Sequence, residues 1–150
     1  MQLEDQMCSL ELAKRLKELG VEQDSLFYYR TQYLYDGSDE IVLMINKFDS
    51  PRAHERMSNP KYSAFTVAEL GEMLPARLKP DLPSKKFARL DICKGTDSRW
   101  LISYYYDITL PPKNALIGNT EADARAKMLI YLIENDLIKE NQNAVKEREV

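Results

Sequence analysis

Residues 120–135 carry the strongest helix signal in the chain, and this segment constrains the fold most. Thr120 is a favourable N-cap, because its hydroxyl can accept a hydrogen bond from a free amide of the first turn. Apolar side chains recur after it at steps of three and four, which places them on one helix face. The members of this face are Ala122, Ala126, Leu129, Ile130, Ile133 and Leu137. A helix with so wide an apolar face must pack against a large neighbour, such as a sheet.

Two further helices and two β-hairpins are predicted elsewhere. One helix is expected over residues 10–19, where Gly20 is placed to end it, and another over residues 67–74, which a capping box at Thr66 and Glu69 begins. Alternating apolar side chains predict strands, and a short polar turn joins them in pairs. The predicted strands span residues 26–35 and 41–46 in the first hairpin, and 87–94 and 99–108 in the second.

The element order α-ββ-α-ββ-α predicts an α+β fold, in which an antiparallel sheet of two hairpins is packed on one face by helices. We expect a single domain over residues 1–138, because a chain of 150 residues can bury a sizeable core. Residues 47–63 are expected to form a polar loop, and the proline-rich residues 75–85 an extended linker. Residues 139–150 are nearly all polar, so we expect a disordered tail there.

The composition is that of an ordinary globular protein, with 44% hydrophobic and 30% charged residues. No apolar run approaches the roughly 20 residues that span a bilayer, so no membrane segment is expected. The N-terminal segment carries acids and no long apolar stretch, unlike a signal peptide. Cys8 and Cys93 fit reduced thiols better than a disulfide framework, which favours a cytoplasmic location. A net charge of −3 gives no general attraction to nucleic acid or to an anionic membrane.

Three blocks of the sequence resemble recurring segments of small phage- and prophage-type bacterial proteins, most of which are described as hypothetical. The blocks are CSLELAKRLKELGVEQDSLFYYR at residues 8–30, YSAFTVAELGEMLP at 62–75 and TEADARAKMLIYLIEN at 120–135. They cover about a third of the chain, and the intervening hairpins do not contribute to the match. The resemblance implies a mobile-element origin and a bacterial cytoplasm, and it brings no catalytic residues.

The sequence contains no recognisable motif for catalysis, metal binding or nucleotide binding. His54 is the only histidine, and its polar surroundings favour a solvated loop residue over a general base. Cys8 and Cys93 lack the usual spacing of zinc ligands. The acids at Asp36 and Asp39 are typical of a turn and lack the EF-hand pattern. None of the five glycines belongs to a phosphate-binding loop. We therefore assign no catalytic residue, metal or cofactor.

Aromatic side chains are concentrated on the predicted strands and mark a candidate interaction surface. Tyrosine and tryptophan are enriched at interface centres, because they bury a large area at a small entropic cost. The candidate residues are Trp100, Tyr104, Tyr105 and Tyr106 of the last strand, together with Tyr28 of the first strand. A protein partner or self-association is therefore favoured over nucleic acid.

The favoured function is that of a small cytosolic protein-interaction or accessory protein of a phage or prophage. The first alternative is an accessory protein that binds single-stranded nucleic acid on an aromatic sheet face, where bases can stack. The second alternative is an enzyme without a recognisable motif, since two carboxylates brought together by folding are invisible in a sequence.

Overall fold

The computed structural model describes residues 2–45, 57–79, 87–106 and 114–138. These residues form three α-helices, seven strands and one 3-10 helix, Leu3–Gln6. The helices are α1 (Leu10–Glu18), α2 (Val67–Met73) and α3 (Glu121–Glu134). The strands are β1 (Phe27–Tyr33), β2 (Asp39–Ile45), β3 (Met57–Ser63), β4 (Arg77–Leu78), β5 (Ala88–Lys94), β6 (Trp100–Tyr105) and β7 (Leu116–Gly118). The predicted α+β class is confirmed, and the predicted tail at residues 139–150 lies outside the described residues.

Both predicted hairpins form, and each belongs to a sheet of its own. The hairpin of β1 and β2 lies in a three-stranded sheet with the order β2-β1-β3. The hairpin of β5 and β6 lies in a four-stranded sheet with the order β4-β5-β6-β7. All described pairings are antiparallel. The architecture therefore differs from a single sheet of two hairpins, because short strands from the predicted loops extend each hairpin separately.

Strand β3 corrects the prediction that residues 47–63 form a loop. Tyr29 of β1 pairs with Tyr62 and Thr31 pairs with Ser58, so three residues of β3 lie opposite a single residue of β1. Pro60 lies within this bulge. Proline lacks the N–H group of the ladder and is tolerated at edges and bulges, which explains why a strand forms where the sequence predicts none. Residues 46–56, which include His54, lie outside the described part.

Strands β4 and β7 also lie in segments where no strand was predicted. Arg77 and Leu78 of β4 pair with Arg89 and Ala88 of β5, although residues 75–85 were expected to form an irregular linker. Strand β7 pairs with the first half of β6. Strands of two or three residues are too short to show an alternation of apolar and polar side chains, so periodicity cannot reveal them.

Helix α3 occupies the centre of the molecule, as its wide apolar face requires. It packs against α1, α2, β6 and β7. Its small side chains Ala122, Ala124 and Ala126 are fully buried and allow these neighbours to approach closely. The buried side chains around it come mainly from the α-helices and the second sheet, and half-buried Tyr29 and Tyr62 of the first sheet pack against them. The largest are Phe65, Leu16, Leu70, Ile102, Met128 and Leu132.

The helix boundaries follow the predicted capping residues. Thr120 accepts a hydrogen bond from the Asp123 amide at 3.1 Å, and Gly20 follows α1 in a left-handed conformation with φ of 81°. The capping box at Thr66 also forms, because Glu69 accepts from the Thr66 amide at 2.7 Å. The same carboxylate accepts from the hydroxyl of Ser25, so this cap also connects α2 to the segment that leads into β1.

Candidate interaction surface

Strand β2 has five consecutive apolar residues, yet none of its side chains is buried. Its sequence is DEIVLMI, and its side chains are exposed or half-buried throughout. Ile41 is 48% exposed and Ile45 is 38% exposed. β2 lies at the end of the first sheet, and on its outer side the described residues provide no neighbouring strand. Such a strand presents a row of backbone N–H and C=O groups together with apolar side chains.

A groove of about 450 Å³ lies beside β2 and shares Ile41 with it. Its walls come from four separate parts of the chain: the N-terminal segment, β1, β2 and the start of α3. The lining residues are Glu4, Met7, Ser9, Leu10, Tyr29, Ile41, Thr120 and Asp123. Since Ile41 pairs with Thr31 and Leu43 pairs with Tyr29, the groove lies on the sheet face that carries Ile41 and Leu43.

Backbone hydrogen bonds fix the walls of this groove. The Cys8 amide donates to the Phe65 carbonyl at 2.9 Å, and the Ser9 amide donates to the carboxylate of Asp123 at 2.8 Å. The hydroxyl of Tyr29 donates to the Cys8 carbonyl at 2.9 Å. These bonds connect the N-terminal segment to the first sheet, to the loop before α2 and to α3. The groove is therefore formed before any partner binds.

The charge around β2 and the groove is negative. Glu4 and Asp123 line the groove, and no basic residue is among its described lining residues. Asp39 and Glu40 add two exposed carboxylates at the start of β2. Tyr29, Asp123 and Thr120 are engaged in hydrogen bonds to backbone groups, so these polar side chains build the groove. This arrangement places an apolar surface beside carboxylates.

The candidate residues chosen from the sequence fall into two groups. Tyr28 and Tyr104 are buried, at 4% and 5% exposed, and the Tyr104 hydroxyl donates to the Pro75 carbonyl at 2.6 Å. Trp100, Tyr105 and Tyr106 are half-buried. Tyr104 belongs to the buried core, whereas the Tyr28 ring has the ammonium group of Lys61 over it. An interaction surface at the second group stays a prediction.

Sequence reasoning missed β2 as a surface. The run of apolar residues from Ile41 to Ile45 predicted a strand, and apolar runs in strands ordinarily indicate burial. Whether such a strand lies at the centre or at an edge depends on its partners, and the sequence does not show those partners. Glu4 and Asp123 are 119 residues apart along the chain, so no local motif could have linked them to Ile41.

A separate group of lysines and tyrosines lies on the β3 side of the first sheet, away from β2. The ammonium groups of Lys14 and Lys17 lie 5.6 and 5.0 Å from the centre of the Tyr62 ring. The ammonium group of Lys61 lies 4.1 Å from the centre of the Tyr28 ring. Tyr62 pairs with the neighbour of Tyr28 along β1, so the two rings lie on opposite faces of the sheet. The three cations therefore do not form one continuous patch.

Both cysteines are free, and their environments differ. Cys8 is fully buried, and burial raises the pKa of its thiol to about 12. Its thiolate, which would be the nucleophile, is therefore suppressed at neutral pH. Cys93 lies on β5 and is exposed. Across the described ranges, no group of three or more histidine, cysteine or acidic side chains is arranged to hold a metal ion.

No protein-family model, curated protein or solved structure matches this chain. The resemblance to phage- and prophage-type proteins therefore stays a prediction. Among the described residues, no helix is long and apolar enough to cross a membrane.

Proposed function

We propose that this protein is a small interaction protein that binds another protein through the outer edge of β2, where the described residues place no further strand. One observation carries the proposal: β2 is a seven-residue edge strand with five consecutive apolar side chains, and none of them is buried. Folding gains little from apolar side chains that stay in contact with water. A partner that covers them would gain that free energy on binding, and its backbone could continue the hydrogen-bond ladder.

A comparison of the two edges of the first sheet supports this proposal. Proteins protect edge strands with prolines, bulges or charges, because open edges pair with other chains. The β3 edge has Pro60 and a bulge. The β2 edge has acids only at its first two positions, and its remaining five residues are apolar. The edge that lacks these protective features is therefore the candidate binding edge.

Site-directed photo-cross-linking tests this proposal. A photoreactive phenylalanine analogue would replace Ile41 in one variant and Ile117 in a control variant. Both positions are isoleucines on edge strands with similar exposure, 48% and 43%. In nuclease-treated lysate of the native bacterial host, we expect a discrete protein adduct from position 41 and none from position 117. Equal adducts at both positions, or none at position 41, would contradict the proposal.

As the setting of this interaction, we propose the cytoplasm of a bacterium that carries the phage or prophage. The resemblance of three sequence blocks supports that setting. Repeating the cross-linking in lysates with and without prophage induction tests it. An adduct that appears only after induction would support a phage partner, whereas an unchanged adduct would indicate a host protein.

Single-stranded nucleic-acid binding is the second candidate, and the contacts of Lys14 and Lys17 with Tyr62 favour it. Binding of this kind depends on the release of counterions and falls steeply with salt. Under this alternative, the double variant Lys14→Ala, Lys17→Ala would weaken binding to an oligonucleotide and reduce the salt dependence. The absence of any oligonucleotide complex at low salt would exclude it.

A further inference from the structure

We infer that the segment bound at the β2 edge is an extended, basic segment of another protein. In this arrangement it joins the first sheet as an additional strand, and a lysine or arginine on the groove side reaches Glu4 and Asp123. The inference rests on the proposed function and specifies the partner. Two observations support it. The groove lies beside β2, and the charge around both is negative.

The register of the first sheet determines which partner side chains reach the groove. Side chains alternate between the two faces of a strand, and those on one face recur about every 7 Å. A strand paired with β2 would therefore project every second side chain to the face of Ile41 and Leu43. The groove lies on that same face and includes Ile41. Side chains at alternating partner positions would thus contact the groove or the apolar surface beside it.

The negative charge of the groove favours a cationic side chain at one of these positions of the partner. Glu4 and Asp123 line the groove, and Asp39 and Glu40 begin the strand. All four groups are acidic, and strand alternation places Asp39 on the same face as Ile41 and the groove, whereas Glu40 lies on the opposite face. A partner lysine or arginine would meet carboxylates there without a competing basic side chain among the described lining residues. A partner carboxylate at the same position would be repelled.

The same charges argue against a second copy of this chain as the occupant. A symmetric pair would join two β2 edges, and each would contribute the sequence DEIVLMI. That strand has two acids and no basic residue, so neither copy could supply a cation to the other's groove. In an antiparallel pair centred on Val42, Asp39 and Glu40 of each copy would lie opposite Ile45 and Met44 of the other, so the carboxylates of the groove would gain no opposite charge from the paired strand.

Fluorescence anisotropy with synthetic peptides tests the inference. The probe is a labelled peptide of about eight residues, the length of an ordinary strand, in which valine and threonine alternate and two lysines lie on one face. A matched probe carries glutamate in place of both lysines. A third probe has the lysine sequence with backbone amides of both edges methylated, which blocks strand pairing on either edge.

We expect the lysine probe to bind and the glutamate probe to bind roughly tenfold more weakly, since each exposed charge pair contributes up to about 1 kcal/mol. Glu4→Lys should weaken binding of the lysine probe by roughly two- to fivefold. Glu22→Lys makes the same charge change at an exposed position in the segment between α1 and β1, and it should leave binding unchanged. Methylation of the backbone should abolish measurable binding.

The remaining outcomes would contradict separate parts of the proposal. If the lysine and glutamate probes bind equally, the inference about charge fails and edge binding stands. If the methylated probe binds as well as its parent, strand pairing fails, and the proposed edge mechanism fails with it. If no probe binds although position 41 still cross-links to a protein, the partner is not an extended basic segment. A concentration-dependent dimer in ultracentrifugation that Ile41→Lys disrupts would identify a second copy as the occupant.

Discussion

The substitution Gly118→Ala tests how closely β7 and α3 are packed. Gly118 is the last residue of β7 and is buried. A Cβ atom at this position would lie 2.7 Å from the Thr120 carbonyl oxygen and 2.8 Å from the Ala124 Cα atom. The Ala124 nitrogen would lie closer still, and all three neighbours are backbone atoms at the start of α3. The Ala124 amide donates to that same Thr120 carbonyl, so the added methyl group would press on the first hydrogen bond of the helix.

The loss of stability in Gly118→Ala follows from the rigidity of the backbone around the added methyl group. Real Cβ atoms essentially never lie closer than 3.0 Å to another heavy atom, so either β7 or the start of α3 must move. Helix α3 packs against α1, α2 and β6 as well as β7, and its movement would disturb the core. Overpacking of this kind costs about 1–3 kcal/mol. We expect a loss of about 2–3 kcal/mol in the free energy of unfolding, a large part of the roughly 5–15 kcal/mol of a typical domain.

Gly71→Ala provides a matched control. A Cβ atom at Gly71 would meet only the guanidinium group of Arg125, with Nη1 at 2.9 Å and Cζ at 3.7 Å, which is the end of a long side chain that can shift. Gly71 lies inside α2, where alanine is favoured over glycine by about 1 kcal/mol. Urea denaturation followed by circular dichroism should therefore show a neutral or stabilising effect for Gly71→Ala. A loss below about 0.5 kcal/mol for Gly118→Ala would refute the close packing, because surface changes have effects of that size.

Three further predictions concern a cap, a buried hydroxyl and the thiols. Thr66→Ala should lower the free energy of unfolding by about 1 kcal/mol in urea denaturation, because it removes the N-cap of α2. Tyr104→Phe should cost about 1 kcal/mol in the same assay, because the Pro75 carbonyl loses its donor. Cys93 should react with a thiol reagent in the native protein while Cys8 reacts only on unfolding. The Cys8 thiol has a pKa raised by burial from 9.0 to about 12, so its contribution to stability is complete below pH 9 and is lost as the pH rises towards 12.

The helices and hairpins could be predicted because their signals are local. Helix α3 was expected over residues 120–135 and spans Glu121–Glu134, since a cap and an apolar period both lie within one segment. The hairpin strands also appear within a few residues of their predicted ends. Strand β3 could not be predicted, because it depends on a bulge that accommodates Pro60 opposite β1. A bulge is a property of two paired strands and leaves no period in either.

The candidate surface was harder to predict than the fold, because exposure depends on distant neighbours. Alternation placed Tyr104 and Trp100 on one face of β6, which the structure retains. Alternation does not show which face other elements cover, and the structure covers Tyr104. For Ile41 the apolar run predicted a strand, but it could not show that this strand lies at the end of its sheet. Aromatic content was therefore a poorer guide to accessible surface than strand position.

The apolar side chains of β2 contribute little to folding, which leaves them available for the proposed binding. The buried core is built from the helices, the second sheet and a few residues of β1 and β3, and no side chain of β2 belongs to its buried members. Polar residues at Ile41 and Ile45 would therefore cost the folded state little. Exposed apolar strands also carry an aggregation hazard, which proteins ordinarily reduce. The proposed binding of a partner would account for an apolar edge that contributes little to the described core and lies next to a groove fixed by hydrogen bonds to backbone groups.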